Sequence, residues 1–135
     1  MKNWSKLFKS YKDSNVYRVT QGIQLNEVKQ IALSQGLAFF EVDLAKVTSK
    51  EDFLSTISKA LNFPSYFGMN WDAFEECLTD FEWCVANGYV IVLREIEAFS
   101  QNVPKELTVA INIFKSAAKY WKTQKKPLFV IILDK

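Results

Sequence analysis

Two kinds of hydrophobic pattern alternate along the chain. Val16 to Thr20 (VYRVT) is short and β-branched and reads as a strand. LNEVKQIALSQG, from Leu25, places Leu25, Val28, Ile31 and Ala32 at helical spacing and stops at Gly36. Leu37 to Asp43 (LAFFEVD) reads as a second strand. Thr48/Ser49 followed by Glu51/Asp52 is a capping-box start, and Phe53, Leu54, Ile57 and Leu61 then share one side of a helix. Pro64 and Gly68 bracket a loop, and Asn70 is a good N-cap for a helix running through about Phe81. Tyr89 to Leu93 (YVIVL) and Leu128 to Leu133 (LFVIIL) are continuously apolar, as strands buried on both faces are. Between them, Pro104 suits the first turn of a longer helix with Leu107, Ile111, Phe114, Ala118 and Trp121 in register.

Four strands separated by helices predict right-handed crossovers and a mainly parallel sheet, so the expected class is α/β. The 135 residues contain no long linker and no fixed-period repeat, which suits one compact domain. At the N-terminus Trp4, Leu7, Phe8 and Tyr11 follow helical spacing among Lys2, Lys6, Lys9 and Lys12. A membrane-surface helix has this pattern, but the segment is short and its lysines few, so docking onto the domain, or disorder, is the simpler expectation.

Composition narrows the chemistry. Histidine is absent, which removes the commonest general acid/base, the Ser-His and Cys-His nucleophile arrangements and all His-containing metal sites. Cys77 and Cys84 lack CxxC spacing and read as reduced thiols, Cys77 as a core residue. The chain has no apolar run of the roughly 18 residues that a membrane span needs, and lysines interrupt any signal-peptide core in MKNWSKLFKS. The expectation is a cytoplasmic protein with no membrane partner.

Charge adds an asymmetry. The net +2 hides a window from Ala60 to Leu93 whose charged residues are Asp72, Glu75, Glu76, Asp80 and Glu82, with no Lys or Arg. On a helical wheel Trp71, Phe74, Cys77, Leu78 and Phe81 fall on one half, and Asp72, Glu75, Glu76, Thr79 and Asp80 on the other. A solvated face is the ordinary reading of such a helix. Against it, Asp72/Glu76 and Glu76/Asp80 are like-charge i,i+4 pairs, each costing a few tenths of a kcal/mol. The preceding loop, Phe63 to Met69 (FPSYFGM), also gathers aromatics where turns are usually polar, and Tyr66 is the candidate for an exposed one. A carboxylate face can hold a hard cation, act as acid and base, or imitate nucleic-acid phosphates toward a basic partner. The calcium-loop spacing is absent, as are the phosphate loop, GxSxG and GxGxxG, so no metal or cofactor is expected. Lys115, Lys119, Lys122 and Lys126 form a basic stripe on the last helix, most simply a solvated face.

The stretch Asn62 to Leu78, NFPSYFGMNWDAFEECL, resembles the barstar family of intracellular ribonuclease inhibitors, and the likeness extends through YVIVLRE, the helix from Pro104 and the final LFVIIL. The resemblance implies a three-layer α/β fold, a small sheet of three to four strands flanked by helices, over residues 37–135. Residues 1–36 are then an N-terminal extension that adds an element to the sheet. It further implies a non-enzymatic inhibitor whose loop and acidic helix enter the active site of a basic, barnase-like microbial ribonuclease, and a monomer when free. By position Tyr66, Gly68, Asn70, Asp72 and Glu76 fall where the family's inhibitors touch the nuclease, Glu76 standing for an aspartate that replaces a substrate phosphate. With the rest of the loop and acidic face, the candidate partner-binding set is Tyr66, Phe67, Gly68, Asn70, Asp72, Glu75, Glu76, Thr79 and Asp80. Three departures bear on the partner: Glu75 replaces an aromatic, Glu76 is one methylene longer than the aspartate, and Ser116 replaces a further contacting acid. The alternatives are a nucleic-acid-binding module using the basic terminal segments, or an interaction domain of the same fold without a nuclease partner.

Overall fold

A computed structural model describes residues 3–20 and 22–133. After a short helix α1 (Trp4–Leu7) and one 3₁₀ turn (Tyr11–Asp13), the elements are β1 (Asn15–Val19), α2 (Leu25–Ser34), β2 (Ala38–Asp43), α3 (Lys50–Ala60) and α4 (Trp71–Leu78). They are followed by β3 (Tyr89–Arg94), α5 (Glu97–Asn102), α6 (Pro104–Thr123) and β4 (Leu128–Leu133). The four strands form one fully parallel sheet in the order β1-β4-β3-β2, the α/β architecture expected.

Strand order explains why the sheet is covered on both sides. From β1 the chain crosses the whole sheet to β2, then steps back through β3 to β4. Crossovers of one hand that run in opposite directions must place their helices on opposite faces. One face accordingly packs Val42, Ile91, Leu93, Val130 and Ile132 against α3 to α6, with Phe53, Phe74, Phe99 and Phe114 fully buried. The other packs Val90, Val92, Phe129 and Ile131 against Trp4, Phe8, Val28 and Ala32. Alternate residues of β3 and β4 thus enter different cores, which is why both strands are apolar at every position.

The N-terminal segment docks by burying Trp4 and Phe8, whose rings lie 5.6 Å apart. Ser14 anchors it to the far side of the sheet: its hydroxyl donates to the Ala118 carbonyl (2.8 Å) and accepts the Leu128 N–H (2.9 Å). β1 pairs with β4 from Asn15 opposite Phe129 to Val19 opposite Leu133, so the segment before residue 37 shares both the sheet and the core.

Several boundaries differ from the sequence reading. β1 begins at Asn15 and ends before Thr20, β2 begins at Ala38 rather than Leu37, and β3 continues to Arg94. Arg94 earns its place at the strand end through ion pairs to Glu41 (3.0 Å) and Asp43 (3.5 Å) on β2. Helix α5 carries no strong periodicity in six residues and was not foreseen; Phe99, fully buried against Phe53 at 5.1 Å, holds it. In α6 the buried stripe also takes in Ala110 and Ala117, while Ile111 is only half-buried. Of the basic stripe, Lys115, Lys119 and Lys122 are exposed on α6, whereas Lys126 lies beyond the helix end and is half-buried. Among the described residues no helix is long and apolar enough to cross a membrane.

Candidate functional site

The site begins at a cap. Asn70 is extended (φ −140°, ψ 169°), and its side-chain oxygen accepts the Ala73 N–H at 2.8 Å, which starts α4 where the sequence placed it. Its amide also donates to the Gly68 carbonyl at 3.3 Å, tying the loop to the helix. At Gly68 a Cβ would sit 3.3 Å from that Asn70 amide, so the lack of a side chain serves the close approach. The left-handed residue of the loop is instead Met69 (φ +54°).

Within the loop the two aromatics part. Phe67 turns inward, half-buried, with its ring 5.0 Å from Phe63, and its N–H closes a turn onto the Pro64 carbonyl (3.0 Å). Tyr66 points outward and is 73% exposed, beside a 44% exposed Met69. Of the candidate set, then, Tyr66 presents its side chain to solvent, whereas Phe67 mainly braces the loop.

Helix α4 separates its faces as the wheel requires. Phe74, Cys77 and Leu78 are buried, Asp72 and Glu76 are exposed, and Glu75, Thr79 and Asp80 are half-buried. The helix stops at Leu78, earlier than expected. Thr79 Oγ1 donates to the Glu75 (3.0 Å) and Glu76 (3.3 Å) carbonyls, and Phe81 adopts φ +50°. That turn sends the Phe81 ring into the core, stacked at 4.2 Å on Tyr89, and aromatic packing outweighs one more turn of helix. The Thr79 proton is therefore committed to the helix end. Asp80 lies just beyond the last turn, so Glu76 and Asp80 both sit toward the helix's negative pole, and the last turn itself carries no basic residue.

None of Asp72, Glu75, Glu76, Asp80 and Glu82 takes part in an ion pair among the described residues; those pairs involve Arg94. Desolvation, and then the charges of Asp80, Cys77 and Glu82, raise the Tyr66 phenol above its ordinary value. Burial, and then Asp80 and Glu76, raise the Cys77 thiol. Loop and helix end thus share one negative field.

Two indoles fix α4 against α6. Trp71 donates from Nε1 to Glu106 at 3.0 Å, and Trp121 donates to the Leu78 carbonyl at 2.7 Å, so both ends of the helix are tied. Sequence reasoning took Trp71 and Trp121 as core residues and missed these bonds, since nothing local marks a partner 35 or 43 positions away. It also left the exposed Tyr120 (42%) out of the surface. Ser116 is exposed on α6. Among the described residues no group of His, Cys, Asp or Glu is arranged to hold a metal ion.

These features define a small parallel α/β domain with a braced helix that carries one sign of charge. Residues 37–133 match the model of the family described as Barstar (barnase inhibitor), and the chain belongs to that family. No curated protein matches the chain.

Proposed function

We propose that this protein inhibits a barnase-like ribonuclease by covering its active site with the loop around Tyr66 and the acidic face of α4. The observation that carries the reading is the set of unpaired carboxylates on a helix tied at both ends, beside an exposed tyrosine, in a chain of the barnase-inhibitor family. A site that holds RNA phosphates is basic, so Asp72, Glu75, Glu76 and Asp80 meet cations there, with charge-assisted hydrogen bonds in place of phosphate contacts. Because α4 is pre-organised, little ordering entropy is lost on docking. The inhibitor itself cleaves nothing and needs no cofactor; inside the producing cell it keeps a toxic nuclease idle.

Glu76 fits this role with longer reach, Glu75 adds a carboxylate in place of an aromatic, and Ser116 withdraws a charge from α6, so the cognate nuclease places its cations opposite α4 rather than α6. Fluorogenic RNA cleavage tests the reading: guanyl-type microbial ribonucleases are assayed at low ionic strength with excess protein. Stoichiometric loss of activity of at least one is expected. Full activity across the panel would leave an interaction domain without a nuclease partner as the better reading.

A further inference from the structure

We infer that Lys9 and Lys125 form a binding site for a phosphate-class oxyanion at the amino-terminal ends of the strands. A concavity of about 340 Å³ opens there. Its floor is the buried Phe8, Leu37 and Pro127, and its rim carries Lys9, Lys125, Tyr11, Gln35 and Asn87. None of the α4 carboxylates lines it, nor does any other acidic residue.

Two lysines from opposite ends of the chain line one hollow that no acidic residue lines. Among the described residues neither is ion-paired. An anion seated over an apolar floor between two lysines is attracted by both. A phosphate monoester carries about −1.5 to −2 charges at neutral pH, which matches two lysines, and lysine suits phosphate as a point charge.

The rim is built rather than incidental. Asn87 is held by two bonds, its N–H to the Gly36 carbonyl (3.0 Å) and its amide to the Gln35 carbonyl (3.3 Å). Gln35 in turn donates to the Ser5 carbonyl at 2.8 Å, which joins the N-terminal segment to the α2–β2 turn. Lys125 sits just past the end of α6 with φ +60°, where Lys126 N–H bonds to Trp121 O and Lys125 N–H to Lys122 O, both at 3.1 Å. This double closure fixes where the Lys125 backbone lies. Phe8, Lys9, Tyr11 and Gln35 precede the span matched by the family while Leu37, Asn87, Lys125 and Pro127 lie within it, so the extension and the family domain build the hollow together, away from the α4 face.

Free phosphate compounds and the terminal phosphate of a nucleic acid offer the same chemistry, and the test separates them. The full chain is titrated by calorimetry with inorganic pyrophosphate, and separately with a short 5′-phosphorylated RNA and its unphosphorylated twin. Lys9→Gln and Lys125→Asn are compared with the wild type; asparagine tolerates the left-handed backbone. Lys105→Gln is the control, at the far end of a helix about 30 Å long. Melting temperature is recorded for each variant, and chemical-shift changes replace calorimetry for any variant whose melting temperature falls. The expected result is saturable binding of pyrophosphate or of the phosphorylated RNA alone, weakened about tenfold or more by either site variant and unchanged in the control. Which of the two binds names the source. Absence of binding by both at millimolar concentration, equal binding of the two RNAs, or equal weakening in Lys105→Gln would overturn the site.

Discussion

The indole N–H of Trp121 donates to the carbonyl of Leu78 at 2.7 Å, inside the core. Leu78 is the last residue of α4, and its carbonyl is one of those that a helix end leaves without an intrahelical partner. A residue on α6 therefore completes the hydrogen bonding of the helix that carries the carboxylates.

Trp121→Phe keeps most of the ring volume and removes the donor. The buried carbonyl then loses its partner, which costs about 1–3 kcal/mol. Urea unfolding should show an unchanged slope and a midpoint lowered by that loss divided by the slope. A loss below about 0.5 kcal/mol would mean the bond contributes little.

Asp72→Ala and Glu76→Ala should separate binding from folding. Both carboxylates are exposed and unpaired, so stability should move by no more than about 0.5 kcal/mol, and removing one of a like-charge i,i+4 pair favours the helix. Truncating one member of a buried interfacial charge pair costs about 2–5 kcal/mol of affinity. The larger couplings in that range come from the barnase and barstar pair itself and are not deduced from this structure. Calorimetric titration against an inhibited nuclease, paired with thermal melts, checks both; parallel losses would make these residues structural.

Association with the nuclease should be fast and fall steeply with salt. A one-signed face beside a basic cleft steers encounter, up to on the order of 10⁸ M⁻¹s⁻¹ or more at low ionic strength. Screening shortens from about 10 Å at 0.1 M to about 3 Å at 1 M, while dissociation, set by short-range packing at Tyr66, changes far less. Stopped-flow rates at several salt concentrations decide it, and a flat association rate would move the contact away from α4.

Ser14→Ala should show whether the N-terminal segment is integral to the fold. The variant strips the buried Leu128 N–H of its acceptor and breaks the link to Ala118, for a cost of about 1–3 kcal/mol. Hydrogen exchange should quicken at Leu128 and along β1. If only residues before Ser14 respond, the segment is an appendage.

Stability should be flat near neutrality and fall on the alkaline side. With no histidine, no side chain of ordinary pKa titrates between about pH 5 and 8. Burial raises the Cys77 and Cys84 thiols and the Tyr89 phenol, whose hydroxyl also donates to the Cys84 carbonyl at 2.9 Å. Folded-state values above the unfolded ones mean that the unfolded chain loses its protons first. Stability is therefore complete below about pH 8.5 and declines as pH rises through the thiol and then the phenol range, about 8.5 to 10 and beyond. Asp52 has the opposite sign: bonds from the Thr48 backbone and side chain lower its pKa, so its contribution holds above the ordinary carboxylate range and fades in acid. Urea midpoints across pH 5 to 10.5 test the profile, and a steady rise toward pH 10 would contradict it.

What the sequence determined by itself is what depends on near neighbours. The Asn70 cap is a bond three residues long, the two faces of α4 follow from the helical period, and the uninterrupted apolar runs of β3 and β4 announce burial on both sides. The candidate loop and helix were legible for that reason, as was an exposed Tyr66. Tertiary structure decided the rest. The end of α4 depended on Tyr89 taking the Phe81 ring, and α5 depended on Phe53 receiving Phe99. The side of the sheet covered by α2 followed from strand order, which no local pattern records. In each case the outcome rests on burial against residues distant in the chain, and packing energy of that kind exceeds the few tenths of a kcal/mol by which local preferences differ.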